Sequence, residues 1–94
     1  MKLLDTKEIC VAFGQFVREG REAKELYQRE VAEQVSITQG YLCLIENGER
    51  EINLTLALNI CQVLGLDFGS FLVAQGIKRR AVPRKTKKSS TPEE

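Results

Sequence analysis

Apolar residues recur at intervals of three and four between positions 5 and 76, and nowhere there does the chain alternate with the period of two that a half-buried strand needs. The pattern predicts short helices and no strand. Asp5, followed three positions later by Glu8, has capping-box spacing, and Ile9, Phe13, Phe16 and Val17 then trace one face of a first helix reaching about Lys24. A second helix is expected from about Gln28 to Val35 and a third from about Gln39 to Asn47, with Thr38 as its cap and Gly48 as its terminator. Asn53 caps a fourth helix that runs to Leu64 ahead of Gly65, and Asp67 caps a fifth, Phe68 to Gln75, ahead of Gly76. The expected fold class is all-α, built from five helices.

The fourth helix departs from ordinary amphipathic patterning. Leu54, Leu56, Ala57, Leu58, Ile60, Cys61, Val63 and Leu64 leave only Thr55, Asn59 and Gln62 as a polar stripe, which is narrow for a solvated face. Surplus apolar surface in a small domain points to a partner, and the patch Leu56, Ile60, Val63, Phe68, Phe71 and Leu72 is expected to form a homodimer interface. Cover of the same surface by the fifth helix and tail within one monomer is the alternative.

Charge divides the chain in two. The net charge is +1 over 94 residues, but residues 1–77 hold 7 basic and 11 acidic side chains, a net −4, whereas residues 78–94 carry +5. Beyond Gly76 the composition turns to Lys, Arg, Ser, Thr and Pro, with little apolar surface to offset the entropy of ordering. The expected organisation is a folded domain at 1–77 and a basic tail at 78–94, disordered from about Arg79. A solubilising extension and an arm that attracts a polyanion are both open for it. There is no membrane-spanning run and no secretory signal in the sequence, so a cytoplasmic protein is expected.

Cys10, Cys43 and Cys61 are odd in number and far apart, so buried reduced thiols are expected rather than a disulfide framework or a metal cluster. Histidine is absent, which removes the commonest general base and the commonest metal ligand. No converged acid–base or nucleophilic set remains, and neither an enzyme nor a cofactor is expected.

Residues 28–47 carry the strongest local signal. Counting Gln28 as the first of twenty positions, Ala32 is fifth, Ser36 ninth, Ile37 tenth, Leu42 fifteenth and Ile45 eighteenth. A small fifth residue lets two helices cross closely, a compact ninth residue makes the turn, and the later apolar positions pack the second helix onto the first. With Phe13-Gly14 and Arg18 to Arg21 before it, Ile45-Glu46-Asn47-Gly48 at its close and Val63-Leu64-Gly65-Leu66-Asp67 after it, the chain resembles the Cro and lambda-repressor-like (XRE) helix-turn-helix family from about Phe13 to Leu72. The stretch from Asn47 to Leu66 is similar to controller proteins of restriction systems and to antitoxins.

The resemblance implies a lambda-repressor-like DNA-binding domain acting as a repressor or autoregulator on double-stranded DNA. Two recognition helices of a homodimer would then lie about 34 to 36 Å apart on a pseudo-palindromic operator. It implies base contacts from Thr38, Gln39, Gly40, Tyr41 and Leu44, with Gln39 able to bond adenine in bidentate fashion. It assigns phosphate contacts to Gln28, Asn47 and Arg50, Gln28 also bracing Gln39, and a structural ion pair to Arg21 and Glu46.

Four departures from the family pattern bear on these expectations. Ser36 stands where glycine with positive φ is usual, so the turn either bears a cost of about 1 to 2 kcal/mol or is reshaped. Tyr27 replaces a capping Ser or Thr, which predicts a fraying second helix, and Gly20 is expected to weaken the first by up to about 1 kcal/mol. The third helix holds no Lys or Arg. A protein-interaction module of the same fold, binding a toxin or regulator, is therefore the competing reading.

Overall fold

A computed structural model describes residues 3–76. Five helices follow one another: α1 (Thr6–Ala23), α2 (Gln28–Gln34), α3 (Gln39–Glu46), α4 (Leu54–Leu64) and α5 (Phe68–Ala74). The expected elements are all present, each ending within a residue of its predicted close. Side chains cap four of them: Asp5 accepts from Glu8 N–H (3.2 Å), Thr38 from Tyr41 N–H (3.0 Å), Asn53 from Leu56 N–H (2.7 Å) and Asp67 from Gly69 N–H (3.1 Å). At α2 the Tyr27 side chain gives no cap, but Glu30 reaches back to the Tyr27 N–H at 2.8 Å. That bond closes an end expected to fray.

The helices stop by one recurring device. After α3, Gly48 N–H bonds Ile45 C=O and Glu49 N–H bonds Leu44 C=O, a Schellman closure with Gly48 at φ 76°. The same pair of bonds follows α2, from Ser36 to Glu33 and from Ile37 to Ala32, with Ser36 at φ 63°. The turn keeps its left-handed residue although that residue has a side chain. Glu25, at φ 57°, repeats the arrangement after α1.

Val17, Val31, Leu42 and Ile60 are fully enclosed, and Ala32, Ile45, Leu64, Ala57, Cys61, Phe13 and Phe71 complete the core. Phe13 of α1 meets Phe71 and Phe68 of α5 edge-on, with ring centroids 5.3 and 5.9 Å apart. Those contacts hold the last helix against the first. α1 approaches α3 so closely that a Cβ on Gly14 would lie 2.6 Å from the Glu46 carbonyl oxygen and nearer still to that of Ile45. Gly20 lies under Leu66, whose Cδ1 would stand 2.6 Å from an added Cβ. Its presence inside α1 thus has a packing reason that propensity alone does not convey.

Burial corrects two sequence expectations. Ile60 and Phe71, expected on the dimer patch, are closed inside the monomer because the inner faces of α4 and α5 turn onto α1. Among the cysteines only Cys61 is buried; Cys10 and Cys43 are half-buried, and all three are free thiols. Burial raises the pKa of the Cys10 and Cys61 thiols, with Glu51 and Asp67 adding to the rise. The tail at 78–94 lies outside the described residues. Among the described residues no single helix is long and apolar enough to cross a membrane.

Candidate nucleic-acid interface

α2 and α3 form two rods joined by the Ser36 turn, and α3 rests on the core through Leu42 and Ile45. Its first turn faces outward. Thr38, Gln39 and Gly40 are exposed, Tyr41 and Leu44 are half-buried, and nothing lies within 4 Å of a Cβ built on Gly40. The Gln39 amide makes no hydrogen bond among the described residues, which leaves its donor and acceptor available together. The Thr38 oxygen is engaged as the helix cap, as expected of that position. Arg50 is exposed, with its guanidinium carbon 5.7 Å from the Tyr41 ring centroid, a cation–π distance that brings a positive charge beside the first turn of α3.

At the other end of α3, one buried carboxylate gathers three helices. The Glu46 side chain is 0% exposed and accepts from Arg21 Nε at 2.7 Å, Arg21 Nη2 at 3.1 Å and Gln28 Nε2 at 2.9 Å. Arg21 Nη1 also donates to the Leu26 carbonyl at 2.8 Å, so one guanidinium ties α1 to α3 and to the loop before α2. Burial pushes the Glu46 pKa up, but hydrogen bonds from Arg21 and Gln28, the Arg21 charge and a bond from Arg18 outweigh it and hold the carboxyl below its ordinary range. The bond to Glu46 raises the Arg21 pKa against the opposing effect of burial.

Two expected partners are arranged differently. Gln28 donates to Glu46 and has no hydrogen bond to Gln39 among the described residues, because an ionised carboxylate is a stronger acceptor than a neutral amide. Asn47 accepts through Oδ1 from Arg18 Nη2 at 2.7 Å, with Nδ2 placed 3.6 Å from Cys43 Sγ. Arg18 was not singled out for the site in the sequence. Its signal was the spacing to Arg21, since residues three apart share one helix face.

A helix-turn-helix family model matches residues 17–71. The chain belongs to this XRE-type helix-turn-helix family. Its fold is similar to that of the clp gene regulator ClgR from Corynebacterium glutamicum, in one structure with 30% identity and TM-score 0.67 over 73% of this chain and 76% of that one. A second ClgR structure gives 32% identity and TM-score 0.67, covering 72% and 88% of the two chains. The restriction-modification controller protein C.AhdI from Aeromonas hydrophila matches at 29% identity and TM-score 0.66, covering 72% of this chain and 99% of its own. A search of curated proteins gave no match. The family match and the regulator neighbours support a DNA-binding transcription regulator.

Apolar side chains remain on the outer surface of α4 and α5. Leu54, Leu58 and Val73 are exposed, Leu56, Val63, Phe68 and Leu72 are half-buried, and a groove of about 280 Å³ opens among Phe13, Ile52, Leu54, Phe68 and Leu72.

Proposed function

We propose that the protein is a cytoplasmic, dimeric transcriptional repressor or autoregulator that binds a pseudo-palindromic operator in double-stranded DNA. The observation that carries this reading is the Gln39 amide, exposed and without a hydrogen bond among the described residues, on the first turn of α3, whose opposite face is anchored in the core. A primary amide matches the N6 and N7 pattern of adenine in the major groove. In this reading Thr38, Gln39, Gly40, Tyr41 and Leu44 meet bases, while Gln28, Asn47 and Arg50 meet phosphates and fix the register. Arg21 and Glu46 are structural. ClgR, a clp gene regulator, and C.AhdI, a restriction-modification controller, agree with a regulatory role.

The dimer interface in this proposal uses Leu56, Val63, Phe68 and Leu72 with the exposed Leu54, Leu58 and Val73. The basic tail adds sequence-independent attraction to a domain whose own net charge is −4. Selection of bound duplexes from a random pool tests the proposal. A palindromic consensus is expected, relaxed by Gln39→Ala at one symmetric pair of positions. Recovery of no consensus would favour a protein-interaction module, a reading that draws on the absence of Lys and Arg from α3.

A further inference from the structure

Among the cations of the described residues, Arg18 is the one that reaches the end of α3 and stays open to solvent. Its Nη2 donates to Asn47 Oδ1 at 2.7 Å and its Nε points at Glu46 Oε1 from 3.5 Å, while its side chain remains 41% exposed. Arg21, 13% exposed, commits its donors to Glu46 and to the Leu26 carbonyl. A guanidinium has further N–H groups beyond the pair Arg18 uses, and none of these has a partner among the described residues. The cluster sets one carboxylate against two guanidinium groups, so an excess positive charge resides on Arg18.

The location gives that charge a purpose. The C-terminal end of a helix carries a partial negative charge from its unpaired carbonyls, which disfavours an anion there. Asn47, the residue that ends α3, brings only an amide to the phosphate assigned to it. A phosphate at this position needs a cation, and α3 has none of its own.

We propose that Arg18 is a phosphate-binding residue: its open N–H donors and Asn47 Nδ2 grip one phosphate of the DNA backbone beside the C-terminal end of α3. The inference rests on the DNA-binding reading above. Asn47 Oδ1 and Glu46 hold the guanidinium plane before DNA arrives, so little side-chain entropy is lost on contact.

The test compares wild type, Arg18→Gln and Arg18→Lys on a duplex recovered by selection, with affinity measured from 50 to 200 mM salt. Gln keeps a donor for Asn47 but has no charge; Lys keeps the charge. Each neutralised phosphate contributes about 0.9 to the slope of log affinity on log salt, and a two-fold complex doubles this. Over this range wild type is expected to lose about tenfold more affinity than Arg18→Gln, with Arg18→Lys following wild type. Thermal melting without DNA checks that each variant is folded. Arg18→Gln weakening binding by the same factor at every salt concentration would mean that Arg18 only positions Asn47, and would overturn the proposal while leaving DNA binding intact. A wild-type chain that selects no duplex would instead overturn the DNA reading, and this inference with it.

Discussion

Arg21 closes a fork on Glu46: Nε lies 2.7 Å from Oε2 and Nη2 lies 3.1 Å from Oε1, on a carboxylate with no solvent exposure. A bidentate pair fixes the relative angle of α1 and α3, whereas a point charge would not. Replacing Arg21 by Met keeps most of the buried volume and leaves the carboxylate short of its principal partner. The expected cost is about 3 kcal/mol in urea unfolding, the low end for breaking a buried pair because Arg18 and Gln28 still reach Glu46. Arg21→Lys should recover only part of it. A loss below about 1 kcal/mol would show that the fork is not what holds these helices together.

The same carboxylate sets an acid limit. Its pKa is depressed in the fold relative to the ordinary value of 4.5, so its stabilising effect is complete above that value and disappears as pH falls through the folded value. Asp67, lowered by bonds from Ser70 and Gly69, adds to the same acid-side loss from its ordinary value of 3.8. Stability followed by denaturant titration should be level from about pH 7 to 5 and then fall steeply. Glu46→Gln starts from a lower stability, and its curve should be flatter below pH 5, with the residual slope due to Asp67. An identical slope in both proteins would remove Glu46 as the cause.

Ser36 holds φ 63° at the turn between α2 and α3. A side chain in that conformation costs about 1 to 2 kcal/mol, and glycine removes the cost while adding about 0.5 to 1 kcal/mol of unfolded-state entropy. Ser36→Gly should therefore stabilise the domain by about 0.5 to 1 kcal/mol. For a domain of this size the gain corresponds to a rise in Tm of about 2 to 8 °C by calorimetry. The DNA selected by the protein should not change, since the turn already has the glycine geometry.

Those three cases mark what was legible in the sequence. Helix starts were readable because Asp5, Thr38, Asn53 and Asp67 act on N–H groups two or three residues away, a range over which sequence and space coincide. The fork of Arg21 on Glu46 was legible only through family resemblance, since nothing local relates residues 25 apart. Arg18 shares a helix face with Arg21, but its partners Glu46 and Asn47 lie 28 and 29 residues further along, and the Leu66 contact that gives Gly20 a packing reason comes from a distant loop. Ile60 and Phe71 were placed outside because periodicity gives an apolar face its width, not the direction in which the helix turns. Tyr27 gives no side-chain cap, as its residue type implies, and Glu30 supplies the reciprocal half of the capping box instead.

Leu58 offers the sharpest test of the dimer. It is 46% exposed on α4, beside the polar positions Thr55, Asn59 and Gln62, and it lies one helical turn after Leu54, which is 63% exposed. A charge at an exposed position changes monomer stability by less than about 0.5 kcal/mol, but one enclosed unpaired in an interface is strongly unfavourable. Leu58→Glu should therefore leave the thermal melt of dilute protein nearly unchanged while shifting sedimentation at micromolar concentration from dimer to monomer. On DNA the variant should occupy single half-sites with much weaker affinity, because the second site loses the high effective concentration that a linked partner provides. Wild-type protein sedimenting as a monomer at that concentration, or Leu58→Glu remaining dimeric, would exclude this face of α4 as the interface and leave the groove beside Phe68 and Leu72 to some other partner.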